Sequence, residues 1–368
     1  MGYEIIAYTP ELDAAIAQLQ THLWSEDAAR NAAYLAWKYT HNPCAPEPMI
    51  TLALSDGKLV GMRGLFGMLW EVDDAAVHPL PCPEDLVVLP EHRNRGVMSR
   101  IMHACLDDAA RHGYRFAVSL SAGPVTYVSS LASGWRAPGS YQLMVRQPSM
   151  SPVLQGVRTL LRGRGLGRLA AALGRRFAPG PFAHLDRMNT GPGAVTVSRM
   201  PRPADMAALV ARLAWDGRIR HVRDARYLAW RFQNPLHEYR FLFWDEGGLQ
   251  GYLVLQRYLA KWADRTRVNI ADWEGDERVR AALLAAALEH GRFAQLSTWS
   301  AGATESTRAV LHDAGFALAP ADDVRGRSQG LLVRGLGEAA GGARWLLGRR
   351  DLLNIADWDL RMLYSMMA

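Results

Sequence analysis

The sequence lacks the features of a membrane-spanning, disulfide-linked or metal-binding protein. No apolar run in its 368 residues approaches the ~20 residues that a membrane-spanning helix needs. The cysteines, Cys44, Cys82 and Cys105, are an odd number without CxxC spacing, which predicts reduced thiols. The histidines are scattered and no HExxH motif occurs, so we expect no metal site. The N-terminus has no pattern of a signal peptide, and we expect a cytoplasmic protein.

The composition is that of an ordinary globular protein with a basic balance of charge. Hydrophobic residues make up 49% of the chain and charged residues 21%, and the length suggests two domains. The net charge of +6 fits an anionic ligand, an anionic membrane or nucleic acid as partner. The net charge alone does not distinguish these three kinds of partner. The positions of the basic residues in the sequence do, so they are more informative than the net charge. We expect no nucleic-acid partner.

The chain contains an internal repeat of three landmarks in one order, and a repeat of this kind indicates the fold. An aromatic run, YLAWKY or YLAWRF, is followed by a turn that ends in glycine and then by a Ser-Ala-Gly run. The landmarks lie at residues 34–39, 58–61 and 121–123, and again at residues 227–232, 248–251 and 300–302.

The repeat predicts two copies of one α/β unit. We place the copies at residues 1–148 and 192–335, with a linker at 149–191 and a tail at 336–368. In the first copy a strand, a loop, a helix and a further strand follow one another, which puts parallel strands in the sheet. The matched tryptophans of the aromatic run, Trp37 and Trp230, are predicted to lie in the core.

The most informative stretch of the first copy joins a strand to a helix through a short arginine-rich loop. An apolar strand ends at Pro90, and the loop then turns through Gly96 into an amphipathic helix. The unpaired N–H groups at a helix start and the helix dipole together attract anions. Gly96 allows close approach of the backbone, and Arg93 and Arg95 can add positive charge. The stretch therefore predicts a phosphate site.

This stretch resembles the acyl-CoA signature of the GNAT superfamily of N-acyltransferases. That signature is a strand with V-x-P followed by R/Q-x-x-G-x-G/A at the start of a helix. Val88-Leu89-Pro90 and Arg93-Asn94-Arg95-Gly96-Val97 carry the resemblance, and Met98 departs from it where a small residue is usual. The resemblance implies an α/β fold of two tandem GNAT-like units, each a mixed, mostly antiparallel sheet flanked by helices.

The resemblance also implies acyl-CoA as co-substrate. The pyrophosphate would bind the amides of residues 95–99, and the pantetheine arm would pair with the strand at residues 87–89. The predicted acyl-CoA-binding residues are Val87, Val88, Leu89, Arg93, Asn94, Arg95, Gly96, Val97, Met98 and Ser99.

The second copy lacks this signature. Carboxylates replace the arginines in its equivalent stretch, at Asp272, Glu274, Asp276 and Glu277. A cluster of negative charge repels a pyrophosphate. We therefore expect that the second copy does not bind CoA and that it shapes the acceptor site or stabilises the fold. One active and one degenerate unit resemble the arrangement of double-GNAT and FemAB-like transferases.

Direct attack of an amine on a thioester needs a base, a donor for the carbonyl oxygen and an acid for the thiolate. The resemblance assigns these roles to polar residues near the loop. Asp85 is the predicted base, with His78 and Glu91 as alternatives. Tyr127 lies where GNAT proteins place the tyrosine that protonates the thiolate. Asp272 is expected to reach the acceptor amine.

A basic segment separates the two copies and bears on the acceptor. Residues 149–185 contain no acid, and arginines alternate with leucines along them. This composition is typical of a helix on an anionic membrane surface, and a solvated linker with a docked helix is the alternative. The membrane interpretation makes the protein peripheral on the inner membrane. It favours an amphiphilic amine such as a sphingoid base as acceptor, since bacterial ceramide synthases are GNAT-like. The alternatives are a soluble N-acetyltransferase for an amino sugar or small amine, and a CoA-binding regulatory module without catalysis.

Overall fold

A computed structural model describes residues 2–147, 180–187, 195–320, 330–342 and 344–366. The predicted basic segment lies outside the described residues from 149 to 179. The α-helices are α1 Asp13–Leu19, α2 Ala28–Leu35, α3 Val97–Arg111, α4 Pro124–Ala132, α5 Pro203–Arg212, α6 Ala225–Arg231, α7 Glu277–His290 and α8 Glu305–Asp313.

The strands of the first half are β1 Tyr3–Ala7, β2 Met49–Ser55, β3 Lys58–Phe66, β4 Leu69–Val72, β5 Ala76–Pro79, β6 Cys82–Val88, β7 Phe116–Ser119, β8 Arg136–Gly139 and β9 Leu143–Arg146. The strands of the second half are β10 Val195–Ser198, β11 Arg220–His221, β12 His237–Asp245, β13 Leu249–Tyr258, β14 Arg267–Glu274, β15 Gln295–Trp299, β16 Ala317–Leu318, β17 Leu331–Gly335, β18 Leu346–Leu347 and β19 Arg350–Asp351.

Each half builds a sheet with a helix packed across it, but only the second half's sheet is mixed, because β6 and β7 of the first half lie in different sheets and do not form the expected parallel pair. In the first, β1, β2, β3 and β6 follow one another as antiparallel neighbours. In the second, the order is β10-β12-β13-β14-β15-β9-β16, and β14 and β15 are parallel. These sheets confirm the predicted α/β fold.

The repeated turn glycine lets a helix cross the sheet closely in both halves. A Cβ on Gly61 would lie 2.9 Å from Ile101 of α3, and a Cβ on Gly251 would lie 2.3 Å from Val279 of α7. Both distances are below van der Waals contact, so a side chain at either position would push the helix away. The glycine of the repeat is therefore a packing requirement that the two copies share.

The two halves exchange a strand. Strand β9 of the first half lies between β15 and β16, where Val145 is the partner of both Ser297 and Ala317. Strand β17 of the second half lies between β7 and β8, where Val333 is the partner of Val118. The domain boundaries remain a prediction. Each half nevertheless supplies one strand to a sheet of the other half.

Trp37 and Trp230 join the halves with the symmetry of the repeat. Their rings stack at 4.6 Å between centroids, with an angle of 7° between the planes. Each indole N–H donates to the other residue's carbonyl oxygen at 2.8 Å. Both side chains are buried, which confirms the prediction that they lie in the core.

The C-terminal segment also contacts both halves. Residues 362–364 form a short 3-10 turn whose side chains are all buried. The guanidinium of Arg231 donates to the carbonyl oxygens of Leu363 and Ser365. The hydroxyl of Ser365 donates to the carbonyl oxygen of Leu120, next to the end of β7. The segment that was predicted as a tail is therefore part of the core.

The described residues bear on three expectations from the sequence, which concern the cysteines, metal ligands and membrane-spanning helices. The cysteines Cys44, Cys82 and Cys105 are free and buried, and burial raises the pKa of the Cys44 thiol to about 12. Among the described residues, no cluster of three or more His, Cys, Asp or Glu side chains could hold a metal ion. No helix in the same part of the chain is long and apolar enough to cross a membrane.

Candidate active site

The predicted phosphate loop has the geometry of an anion site. Gly96 caps the start of α3 with a φ of 74°, in the left-handed region that favours glycine. Asn94, two residues earlier, has a φ of 59°. The first intrahelical bond runs from the Arg100 N–H to the Gly96 carbonyl at 3.1 Å. The amides of residues 97–99 precede that bond and are available to a ligand.

The loop is fastened to the end of β6 and to β1. The Nε of Arg93 donates to the carbonyl oxygen of Val88 at 3.0 Å, so this arginine holds the loop against the strand. The hydroxyl of Tyr3 lies 3.1 Å from Nδ1 of His92 in the preceding turn. The side chain of Met98, the departure from the family pattern, is 38% exposed, so its bulk does not fill the loop.

A gap opens between β6 and β7 beside this loop. The Val118 N–H of β7 donates to the carbonyl oxygen of Pro81, the residue before β6, at 3.0 Å. This bond joins the two segments where β6 begins. Beyond it the strands belong to different sheets, since β6 pairs with β3 and β7 pairs with β17. The free edge of β6, which includes the predicted residues Val87 and Val88, faces the gap and can pair with an extended amide-containing ligand.

Asp85, the predicted base, is a buried carboxylate with three donors. It accepts hydrogen bonds from the indole of Trp24 at 3.0 Å, the ammonium of Lys38 at 3.0 Å and the hydroxyl of Tyr39 at 2.7 Å. Its φ of 55° marks a β-bulge, where the pairing between β3 and β6 shifts register. The glycine opposite the neighbouring Glu84 is required, because a Cβ on Gly64 would lie 2.0 Å from the Tyr39 hydroxyl.

Glu84 is a second buried carboxylate, which the sequence analysis did not select. It accepts a hydrogen bond from the hydroxyl of Ser121, which follows β7, so this bond spans the gap. The ammonium of Lys38 lies 3.6 Å from Glu84. Burial by itself would lower the pKa of Lys38, but attraction to Asp85 and Glu84 outweighs burial and raises it. The buried guanidinium of Arg63 also lies nearby and donates to the carbonyl oxygen of Pro83 at 3.3 Å.

Tyr127 lies on the inner face of α4. Its ring packs against the apolar cluster that includes Cys105 and Ala109 of α3. Burial raises the pKa of the Tyr127 hydroxyl, so the group holds its proton at neutral pH. Among the described contacts, none joins Tyr127 to Glu84 or Asp85. The alternative bases are also apart from this site, since His78 pairs with Trp70 in the β4–β5 hairpin and Glu91 is exposed.

Asp272 occupies the second half's counterpart of the Glu84 position. Glu84 is the partner of Gly64, three residues after Gly61, and Asp272 is the partner of Val254, three residues after Gly251. Arg223 and Arg361 lie 3.0 Å and 2.8 Å from its carboxylate.

The hydroxyl of Tyr252 donates to the same carboxylate at 2.7 Å. Burial alone would raise the pKa of Asp272, but attraction to Arg223 and Arg361 outweighs burial and lowers it. The structure does not bring Asp272 together with Asp85 and Tyr127, and its action on an acceptor stays a prediction.

The start of α7 in the second half differs from the phosphate loop in its length and in its cap. These differences, and not the predicted cluster of negative charge, distinguish the two helix starts. Only Gly275 and Asp276 separate β14 from α7, whereas residues 89–96 separate β6 from α3. The carboxylate of Asp276 accepts a bond from the Val279 N–H at 2.8 Å, so the helix start already has an anion of its own.

Residues 14–124 match the family model described as "Acetyltransferase (GNAT) family". This range covers the loop, the gap and both buried carboxylates of the first half. No curated protein matches the sequence.

Solved structures of similar fold extend the likeness to nearly the whole chain. A probable N-acyltransferase of unknown function from Enterococcus faecalis has a TM-score of 0.57 at 12% identity, over 91% of this chain and 73% of its own. A tandem GNAT protein from the clavulanic acid biosynthesis pathway has a TM-score of 0.53 at 12% identity, over 91% and 99%. An N-acetyltransferase from Anabaena variabilis has a TM-score of 0.54 at 10% identity, over 90% and 72%. At these identities the likeness concerns the fold.

Proposed function

Since this chain belongs to the GNAT superfamily and is an acyl-CoA-dependent N-acyltransferase, we propose that it acylates an amine in the gap between β6 and β7. One observation carries the assignment. The open start of α3 at Gly96 follows the C-terminal end of β6, and the buried carboxylate of Glu84 lies near the N-terminal end of the same strand, along one gap. The thioester can therefore be held along β6, with its phosphates at the helix and its carbonyl carbon towards Glu84.

The reaction forms a C–N bond to the acceptor and breaks the C–S bond of the thioester. We propose that Glu84 takes the proton that the ammonium must lose, because its carboxylate lies in the gap and its hydrogen bond comes from a neutral hydroxyl. Asp85 is less suited to this role, since Lys38, Tyr39 and Trp24 already donate to it. Tyr127, which holds its proton at neutral pH, remains the proposed acid for the leaving thiolate.

The charge of the site supports a cationic acceptor. Lys38 lies within ion-pair distance of both buried carboxylates, Glu84 and Asp85, while the buried Arg63 nearby donates to the carbonyl oxygen of Pro83. A protonated amine that enters the gap can pair with Glu84, which can then remove its proton. Lys38 and Asp85 are positioning residues in this arrangement, because they act through Glu84.

We further propose that the acceptor is an amphiphilic amine at an anionic membrane surface. The outer face of α4 carries Val125, Val128 and Leu131, which are 79%, 66% and 41% exposed. Tyr127 of α4 packs against the apolar cluster that includes Cys105 and Ala109 of α3, and α3 starts at the proposed phosphate site, so we place this apolar face near the gap.

The second half offers an internal comparison for this face. Gly134 follows α4 and Gly315 follows α8, so these two glycines align the helices of the two copies. In this alignment Val125, Val128 and Leu131 correspond to Ser306, Ala309 and His312. The same helix is therefore polar where no acyl-CoA site exists, so the fold does not require an apolar face. Three side chains are far too few for the ~800 Å² per partner of a stable protein interface. A lipid surface needs no such area, and the exposed Arg93 and Arg95 nearby fit anionic headgroups.

Acyl transfer by a Glu84→Gln variant tests the proposed chemistry. With acetyl-CoA and a panel of amines, we expect kcat to fall about 100-fold or more, the usual contribution of a general base. The affinity for acetyl-CoA should stay within about twofold, because Glu84 does not touch the phosphate loop. If Glu84→Gln keeps its turnover while Asp85→Asn loses it at an unchanged melting temperature, Asp85 is the base instead.

Flotation with phosphatidylglycerol vesicles tests the acceptor class. The triple variant Val125→Ser, Val128→Ala, Leu131→His gives α4 the residues of its own counterpart, and we expect it to bind vesicles less than the unchanged chain. Met200→Ser, which removes another apolar side chain that is 71% exposed, is the matched control and should float normally. Equal flotation of the triple variant and the unchanged chain, or none by either, would favour the alternative of a soluble amine as acceptor.

A further inference from the structure

A cleft in the second half occupies the position that the acyl-CoA gap has in the first half. It lies where β14 and β15 separate, beside α7, α8 and the C-terminal segment. Asp272, Trp273, Arg280, Thr307 and Arg361 are among its lining residues, and its volume is about 110 Å³. The cleft is thus built from the elements of a cofactor site, although the phosphate loop is absent.

The C-terminal segment closes the cleft to an extended ligand. The guanidinium of Arg361 donates to the carbonyl oxygen of Trp273 at 2.8 Å, on the strand edge where a pantetheine arm would pair. It also lies 2.8 Å from Asp272 and 3.2 Å from Asp359. What remains beyond Arg361 is a cavity for a small molecule, since an apolar cavity of ~150 Å³ holds a molecule the size of benzene.

Arg280 differs from the other arginines of the cleft in its partners. Arg361 has the carboxylates just described, and Arg218 has Asp216 at 2.6 Å. Arg280 contacts only hydroxyls, those of Thr307 at 2.8 Å and Ser306 at 3.5 Å. Among the described residues, no carboxylate lies within ion-pair distance of it. Burial lowers the pKa of Arg280, with attraction to Glu274 opposing it, which indicates a cation that lacks a close counter-charge.

Two further groups in the cleft lack a partner, and both are donors. The Nε of Arg280 and the indole Nε1 of Trp273 are buried without any acceptor. The Trp273 side chain is 92% buried, and the guanidinium carbon of Arg280 lies 5.8 Å from the centre of a Trp273 ring. Buried donors in folded proteins nearly always have an acceptor. A guanidinium without a counter-charge, whose Nε lacks an acceptor, next to an indole N–H that also lacks one, needs a ligand with acceptor oxygens and a negative charge.

We propose that this cleft binds a small carboxylate of about four to six non-hydrogen atoms, whose oxygens accept from Arg280 and Trp273. A carboxylate fits better than a phosphate, because one unpaired guanidinium balances one negative charge. Asp272 and Asp359 line the same cleft and repel a dianion. The site is separate from the proposed transfer of an acyl group, which takes place in the other half.

Calorimetric titration of the full chain with propionate tests the site. Propionamide, which has the same shape without the charge, should bind at least about tenfold more weakly, as expected for a charge-assisted bond. Arg280→Gln should lose propionate to a similar degree. Arg100→Gln is the matched control, because Arg100 and Arg280 are each the fourth residue after the cap of their helix. It should bind propionate unchanged.

Several outcomes would overturn the proposal. They are no detectable propionate binding, equal binding of propionamide, tighter binding of inorganic phosphate, and unchanged binding by Arg280→Gln. If Arg280→Gln does not fold, as judged by its thermal melting, Trp273→Phe takes its place. This variant keeps an aromatic ring, removes one of the two donors and should weaken propionate binding several-fold. Unchanged affinity in Trp273→Phe would then count against the site.

Discussion

At the scale of single residues, the site depends on three buried charges whose pairing is unequal. Lys38 lies 3.0 Å from Asp85 but 3.6 Å from Glu84, so Asp85 takes most of its attraction. Three donors contact Asp85, whereas Glu84 accepts from the Ser121 hydroxyl and the Cys82 thiol and has a more distant ammonium. A carboxylate with fewer charged donors is better placed to accept a proton from a substrate.

Replacing Lys38 by Met should affect both stability and the pH dependence of acyl transfer. Glu84 and Asp85 would be left as buried carboxylates without a cation, which costs about 3–5 kcal/mol of unfolding free energy. Because a nearby positive charge favours the ionised carboxylate, its loss should move the acidic limb of the kcat profile to higher pH. Urea unfolding and a pH–rate profile measure the two effects.

Lys38→Arg is the control for this prediction. The second copy has Arg231 at the matched position of its aromatic run, so the repeat itself accommodates the exchange. A pH–rate profile that is the same in Lys38→Met and the unchanged chain would contradict the role given to Lys38.

His221 gives the protein a predictable sensitivity to acid. Burial is the main cause that lowers its pKa to about 3, far below the 6.5 of an exposed histidine, so the folded chain keeps it neutral. Below pH 6.5 the unfolded chain takes up this proton and the folded chain does not. Its contribution to stability is therefore complete above pH 6.5 and falls as the pH drops towards 3, by up to about 1.4 kcal/mol per pH unit.

His221→Phe should flatten this part of the stability curve. The ring can still stack on Tyr227, whose centroid lies 4.1 Å away, while the titrating group is lost. Unfolding free energies measured from pH 7 to pH 4 should fall less steeply in the variant, whatever its stability at pH 7. Parallel curves for the two proteins would show that His221 does not titrate as described.

At the scale of elements, the start of α3 is a local structure with a local signal. Gly96 has a φ of 74° in the loop, and Gly113 has a φ of 82° just after the same helix ends. Alanine at either position costs roughly 1–2 kcal/mol in the left-handed region. Gly96→Ala and Gly113→Ala should therefore lower the melting temperature alike.

Only the change at the start of the helix should weaken acetyl-CoA binding. Gly96 lies in the loop that approaches the phosphates, so we expect a loss of about tenfold or more, as for a misplaced anion site. Gly113 lies at the other end of α3 and should leave the dissociation constant unchanged. Equal dissociation constants in the two variants, measured by calorimetry, would remove the loop from the binding site.

This contrast between local and distant structure also explains what could be predicted. The loop was predictable because strand, arginines, glycine and helix are consecutive in the sequence. Glu84 was not, because its partner Ser121 is distant along the chain and the bulge at Asp85 breaks the alternation of the strand. The sequence shows the acidic residues of the second copy, but not the partners of Asp272. Arg223 and Arg361 reach its carboxylate only through the tertiary fold.

At the scale of the whole molecule, the exchange of strands joins the two halves into one structure. Strand β17 of the second half is the common neighbour of β7 and β8, which border the gap. Strand β9 of the first half is likewise the common neighbour of β15 and β16. The repeat predicted two similar units, but it did not predict which unit each last strand joins. Sequence periodicity reports the faces of a strand and not its neighbours.

A protease site inserted between residues 149 and 179 gives a test of this exchange. After cleavage, we expect the two fragments to stay together in size-exclusion chromatography and to keep the thermal melting of the uncut chain. Neither fragment expressed alone should give a cooperative unfolding transition, because each lacks a strand of its sheet. Fragments that separate, or that melt cooperatively by themselves, would show that the halves are independent domains.

The reciprocal strands have a consequence for how such a chain can diverge after duplication. The second copy has lost its phosphate loop, and its cleft is partly filled by Arg361. The acyl transfer proposed for the first half does not require the phosphate loop in the second. Strand β17 is under a different constraint, because the active copy's sheet is incomplete without it. Selection for the activity of one copy thus acts directly on the sequence of the other, and a degenerate copy cannot be deleted.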